Sequence, residues 1–266
     1  MNLPADYRLT EKHAIVCGSS QGIGLACATR LAQLGAEVTL LARDESALKQ
    51  VRDTLATDNR QKHRCLIADF SEPRSVEEAI THHLGEAGPV QILVNNTGGP
   101  PHGPIVETEP QAFVKAISMH VVCNQILLQA VLPGMKEHGY GRVINIISTS
   151  VKEPIPGLGV SNTTRWAVAA WAKTTAGELA KFGITVNNVL PGYTDTARLA
   201  SLISAKADAG GLSEEQVKKD MIGKIPTGRL AEPGEIAAAA GFLASPAASY
   251  ITGINLPVDG GRLASM

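Results

Sequence analysis

A chain of 266 residues, 44% hydrophobic and 18% charged, has room for one large α/β domain or two small ones and is too apolar for disorder. Its formal net charge of −1 comes from interspersed signs, which speaks against a nucleic-acid or membrane partner. The opening MNLPADYRLTEKH lacks the charged-then-apolar layout of a signal peptide. No uninterrupted apolar run approaches the ~18 residues of a membrane span, so a cytoplasmic location is expected.

Taken in order, short apolar runs alternate with helix-length amphipathic stretches. HAIVC (13–17) reads as a strand and GIGLACATRLAQLG (22–35) as a helix stopped by Gly35. EVTLLA (37–42) is a second strand, followed by a helix over 45–56. HRCLIADF (63–70) and VQILVNNT (90–97) are strands flanking a helix that starts near Pro73. A helical region over about 110–138 precedes the strand GRVINIIS (141–148), and a helix runs from about 160 to 181. GITVNNVLPG (183–192) and GINLPVDGG (253–261) supply the last of seven strands.

Strands joined by helical crossovers imply an α/β fold, a doubly wound parallel sheet with helices on both faces. With no repeat, linker or low-complexity tract, residues 1–266 read as a single Rossmann-type domain. The polar, glycine-containing stretch at about 196–225 interrupts the alternation. It is expected as a substrate-side insertion over the strand ends, a lid or else a plain surface helical pair. Cys17, Cys27, Cys65 and Cys123 lie far apart in apolar segments and fit no metal spacing, so free, mostly buried thiols and no metal site are expected.

CGSSQGIG follows the first strand and opens the first helix. Gly18 permits a tight turn, Gly22 lets backbone approach a pyrophosphate, and Gly24 allows close helix–strand packing. Ser20, Gln21 and Ile23 complete the loop, and the helix N-terminus offers N–H groups to phosphate. At the end of the second strand, LLARD lacks the acidic residue that would hold a ribose diol. Arg43 suits a 2′-phosphate instead, and Asp44 is expected to cap the next helix. NADP(H) is therefore preferred, with NAD(H) admissible.

These segments, with ADF (68–70), NNTGG (95–99), NNVLPGYTDT (187–196), IPTGRLAEPGEIAAAAGFLAS (225–245) and YITGINLPVDGG (250–261), resemble the short-chain dehydrogenase/reductase family over essentially the whole chain. The 3-oxoacyl-carrier-protein-reductase-like branch is the nearest in character. The resemblance implies that Asp69 holds the adenine amino group and that Asn95 and Gly98 line the cofactor cleft. It implies that Pro191, Gly192, Thr194 and Thr196 lie against the nicotinamide and phosphates. It also implies a homotetramer or homodimer acting on a small carbonyl or alcohol.

The catalytic group of that family is an asparagine, a serine, a tyrosine and a lysine four residues after the tyrosine. Here the matching positions are His120, Ser148, Ser161 and Arg165, so only the serine survives. An aliphatic hydroxyl is a far weaker acid than a phenol, and a guanidinium holds its proton. His120 is a candidate proton carrier or a hydrogen-bonded core residue; Lys152 is a candidate proton donor or anion anchor, or a solvated loop residue. Tyr193 is expected as packing beside the nicotinamide. His82, His83, His138 and Tyr140 read as exposed. Two functions remain open: an NADP(H)-dependent oxidoreductase with an altered proton relay, and a catalytically silent dinucleotide-binding protein. Dehydration or isomerisation in the same pocket is a further alternative.

Overall fold

The computed structural model describes residues 4–100 and 102–265, so Met1–Leu3 of the amino-terminal segment and residue 101 of the NNTGGPPHGP motif lie outside it. Strands β1 (His13–Cys17), β2 (Glu37–Ala42), β3 (Arg64–Ile67), β4 (Ile92–Asn95), β5 (Gly141–Ile146), β6 (Ile184–Pro191) and β7 (Asn255–Val258) form one parallel sheet. Their order is β3-β2-β1-β4-β5-β6-β7, so the chain winds outward one way, returns to the centre, and winds outward the other way. The crevice between β1 and β4, where the order reverses, is where such sheets bind ligands.

Side chains alternate between the two faces of the sheet. On one side Ala14 and Val16 of β1 pack with Cys27 and Leu31 of α1 (Gly22–Gln33) and with Ile236 and Leu243 of α9 (Pro233–Ala244). On the other, Ile15 and Cys17 pack with Ile80 of α3 (Pro73–Ala87), Leu127 of α5 (Cys123–Glu137) and Leu179 of α6 (Gly159–Leu179). Burying both faces is why these strands read as continuous apolar runs.

An asparagine ladder crosses the sheet near its carboxyl ends. Asn95, Asn145, Asn188 and Asn255 are register partners on four neighbouring strands. Each Nδ2 donates to the next Oδ1, at 2.8, 2.9 and 2.8 Å. Amides matched in this way, buried at Asn95, Asn145 and Asn188, hold the strands in one register, because a slip would leave several polar groups unpaired.

The elements differ from expectation at their ends. The second helix, α2 (Glu45–Arg52), stops short of 56. The chain then turns through Arg60, at φ +61°, and the His63 ring ties the Ala56 carbonyl to the Val38 amide. Asp44 caps α2, accepting from the Ala47 amide at 3.0 Å. The 110–138 region divides into α4 (Pro110–Ile117) and α5, joined by a π-turn over Ser118–Val122 that carries His120. Pro110–Glu137 together is long and apolar enough by composition to cross a membrane, but here it packs against α3 and α6. The 196–225 stretch forms α7 (Ala197–Gly210) and α8 (Glu214–Ile222), which share a small core of Leu199, Ile203, Val217 and Met221.

All four cysteines are free, three of them buried and Cys65 partly so, and no metal-ligating cluster occurs among the described residues. Two residues expected at the surface are not there. The Tyr140 hydroxyl donates to the Ala244 carbonyl at 2.6 Å. His83 is buried, and its Nε2 lies 3.1 Å from Thr39 Oγ1, which also bonds His13 Nε2 at 2.8 Å. Burial first, then the charges of His83 and Arg64, push the His13 pKa down to about 4; burial and Arg64 also lower His83. Both rings are therefore neutral in the fold, and acid protonates them first in the unfolded chain. Stability is predicted to fall between about pH 6.5 and pH 4, by on the order of 3 kcal/mol for His13 alone. Thermal melts across that window check this, and His13→Gln with His83→Gln should flatten most of the slope.

Candidate active site

The cofactor half of the site follows from the turn after β1. Gly18 and Gly22 adopt φ of +59° and +57°, values that side-chain-bearing residues rarely take. The next residue type is fixed by space: a Cβ on Gly24 would lie 2.1 Å from the Gly18 carbonyl oxygen. α1 therefore starts tight against the turn. Its N-cap residue, Gln21, makes no side-chain cap, which leaves the first N–H groups and the positive helix end directed at the crevice.

A cleft of about 720 Å³ opens there. Gly18, Ser20, Gln21, Gly22 and Ile23 line one end, with Arg43 and Asp69 beside them and Gly98 along the wall. Asp69 Oδ1 accepts from the amide and hydroxyl of Ser71, both at 2.8 Å, and these bonds hold its carboxyl below the ordinary range. Because Asp44 is engaged as a helix cap, Arg43 is the charged residue that the end of β2 presents to the cleft. Pro191, Gly192, Thr194 and Thr196 form the opposite wall, and the α7 residues Arg198, Leu199 and Leu202 roof it. The shape and donors suit a dinucleotide phosphate.

At the far end Ser148, Ser161 and Arg165 share the wall. Ser148 Oγ accepts from the Ser150 amide at 3.1 Å, so one lone pair is used and the hydroxyl proton is left for the cleft. Arg165 is buried; its Nη1 donates to the Ile146 carbonyl at 3.0 Å and its Nη2 to the Thr97 carbonyl at 3.5 Å. Burial, then the nearby Arg198 charge, lower its pKa to about 10. It therefore stays protonated at neutral pH.

Several expected residues stand elsewhere. Asn95 faces into the sheet as the first member of the ladder, with its Oδ1 buried and unpartnered; Asn96 lines the cleft instead. Asn96 Nδ2 lies within bonding distance of the Cys17 and Gly18 carbonyls, at 3.2 and 3.3 Å. Strand parity separates the two, since Asn95 shares a face with Leu93 and Asn96 does not. Gly24 sits beneath the glycine turn, outside the cleft wall. His120 also lies outside it, buried behind Thr97, with Nδ1 2.8 Å from Thr97 Oγ1. Burial, then the Arg165 charge, hold its pKa well below the usual histidine value. Lys152 does not reach the wall. Tyr193 does; it packs on the α7–α8 core, and the Arg262 guanidinium stacks 4.9 Å from its ring centre. Arg198, Ile155 and Leu158 are wall residues that no sequence motif singled out, and Thr97, inside the NNTGG motif, is a wall residue given no role there.

A family model described as enoyl-(acyl carrier protein) reductase matches residues 18–262. The 3-oxoacyl-[acyl-carrier-protein] reductase FabG of Pseudomonas aeruginosa is 33% identical, over 97% of this chain and 99% of its own length. The chain belongs to the short-chain dehydrogenase/reductase family, 3-oxoacyl-carrier-protein-reductase-like. Among solved structures, L-sorbose reductase from Gluconobacter frateurii, complexed with NADPH and L-sorbose, superposes with a TM-score of 0.91 at 28% identity. It covers 98% of this chain and 100% of that one. YwfH, an NADPH-dependent reductase involved in bacilysin biosynthesis, gives 0.90 at 27% identity, covering 97% and 100%.

The glycine turn of this short-chain dehydrogenase/reductase is the most sharply constrained part of its site. Gly24→Ala is predicted to destabilise the chain by about 1–3 kcal/mol through the clash with Gly18 and to abolish NADPH binding. Gly85→Ala, on α3 with open space around it, should instead leave binding intact and raise stability by up to about 1 kcal/mol. Thermal melts and NADPH titration of both variants test this.

Proposed function

We propose that this chain is an NADP(H)-dependent oxidoreductase acting on a carbonyl or secondary alcohol through a proton relay that lacks a phenol. The observation that carries this reading is the intact cofactor end of the cleft, joined to an Arg165 that remains charged and keeps N–H groups beyond those bound to Ile146 and Thr97. The glycine turn and the α1 N-terminus would receive the diphosphate, and Arg43 the 2′-phosphate. Arg165 would hold the nicotinamide ribose hydroxyls, in place of a lysine. Nicotinamide, when bound, supplies or accepts the hydride.

Ser148 would donate a hydrogen bond from its hydroxyl to the substrate oxygen, its orientation set by the Ser150 amide. Ser161 is too weak an acid to protonate an alkoxide usefully. Water admitted through the mouth of the cleft would deliver the proton, drawing on bulk solvent. The NADPH dependence of YwfH and the NADPH complexed with L-sorbose reductase support the choice of cofactor. The assembly proposed is a homodimer or homotetramer built on the long helices α5 and α6, in the cytoplasm, with residues 196–225 as the substrate-side part of one domain.

Ser161 in place of the acid, with His120 sealed behind Thr97, favours a second reading: a dinucleotide-binding protein without turnover. Titration with NADPH and NADP⁺, followed by a carbonyl screen read at the nicotinamide absorbance, separates the two. Binding with oxidation of NADPH by some carbonyl is expected; binding with no oxidation across acyl, sugar and quinone carbonyls supports the silent protein. Failure to bind either dinucleotide would sink both. If only the acid is missing, Ser161→Tyr with Arg165→Lys should raise kcat by about 10²-fold or more. A fall in kcat would show that the native relay is a working alternative.

A further inference from the structure

Arg198, the second residue of α7, reaches over the mouth of the cleft and donates from Nη2 to the Pro100 carbonyl. It lies against Gly99, where a built Cβ would fall 3.3 Å from Nη2. Across the cleft stands Arg165, pinned to two backbone carbonyls. Neither arginine has a carboxylate partner among the described residues; every ion pair found there lies elsewhere. Asp69, the only acidic residue on the cleft wall among the described residues, sits at the opposite end beside Arg43, engaged with Ser71. The rest of the reactive end is neutral, formed by Ile155, Leu158, Leu202 and the two serines.

Desolvation lowers the pKa of both guanidinium groups, and the charge of Arg198 adds to the lowering at Arg165, with no counter-charge beside either among the described residues. A bound anion relieves both costs. Arg198 is also poorly placed for the cofactor diphosphate. That group belongs at the glycine turn, where Gly22 faces the Thr196 methyl; Arg198 lies two residues further on and bonds beyond Gly98 and Gly99.

We propose that Arg198 determines specificity by binding the carboxylate of the substrate, so that this site takes an oxo acid, or in reverse a hydroxy acid. This rests on the oxidoreductase reading above. The planar guanidinium matches a carboxylate in a two-bond pairing that a neutral ketone cannot offer. The reacting carbonyl then lies toward Ser148. In reduction the C=O π bond breaks, a C–H bond forms with the hydride of NADPH, and an O–H bond forms with a proton from the relay. The products are the hydroxy acid and NADP⁺.

The test titrates a panel of 2-oxo and 4-oxo acids, each beside its methyl ester, into the NADP⁺ complexes of the wild type, Arg198→Leu and Arg198→Lys. At least one acid should bind the wild type about tenfold or more tighter than its ester. Arg198→Leu should erase that preference and Arg198→Lys keep part of it, with the Kd for NADP⁺ within about threefold throughout. Equal binding of every acid and its ester to the wild type would overturn the proposal. So would an acid preference that survives Arg198→Leu while NADP⁺ binding weakens about tenfold, which would assign Arg198 to the cofactor phosphates. A wild type that bound no dinucleotide would overturn the oxidoreductase reading instead. The same acid–ester comparison on the unliganded chain would then still decide whether Arg198 selects a carboxylate.

Discussion

Arg165 carries a full positive charge out of water into the floor of the cleft, where it meets two backbone carbonyls and no carboxylate. Desolvating a guanidinium costs several kcal/mol, and carbonyl dipoles return only part of it. The charge is felt around it: it helps keep His120 neutral, and it leaves the reactive end of the cleft with an unmet demand for electron-rich partners. Under the proposed function, ribose hydroxyls and an anionic substrate would answer that demand. A lysine there would be a compact point charge with a movable proton; the arginine is a fixed planar fork that does not release one. In the proposed relay an arginine would keep the binding task and give up the tuning task, in step with Ser161 standing where the family resemblance implies a phenol.

The sheet makes this arrangement possible. Of the carbonyls that hold Arg165, that of Ile146 ends β5 and that of Thr97 lies two residues beyond β4, strands whose register the asparagine ladder locks just below. Asn96, next to the first rung, ties the end of β4 to the glycine turn after β1. The phosphate end and the reactive end are thus braced by one set of polar contacts along the carboxyl edge. The π-turn at Ser118–Val122 belongs to the same frame, because it seats His120 behind Thr97. Such turns occur often at functional sites in helices.

Much of this was legible in the residues themselves. The alternation of apolar runs with amphipathic helices identified all seven strands, and the spacing of Gly18, Gly22 and Gly24 marked the turn, because positive φ and lack of space leave few other residue types. Asp44 read correctly as a cap. Element ends were less legible: α2 stops at Arg52, and the His63 ring, by joining the Ala56 carbonyl to the amide of Val38, 25 residues before His63 in sequence, holds the segment expected as its last turn. Asn95 and Asn96 are equivalent in a motif, and only strand parity tells which faces the cleft. His83 looked like a polar face of α3, yet it bonds Thr39 on another element. Arg198 gave no signal, since its place depends on how α7 folds back over the β4 loop. What sequence reading missed are pairings made in three dimensions.

A charge retained at a cost to stability is expected where function needs it. The most direct measurement is a thermal melt of Arg165→Met beside the wild type, each with and without NADPH at about one hundred times the wild-type Kd, where binding adds about 2.7 kcal/mol. If Arg165 is the nicotinamide-side anchor, the unliganded variant melts no lower than the wild type, because an uncompensated buried charge is gone. Its NADPH-induced rise should shrink to about half or less, as for a tenfold weaker complex. An unliganded variant that melts well below the wild type while keeping the full NADPH-induced rise would contradict this and make Arg165 a structural residue.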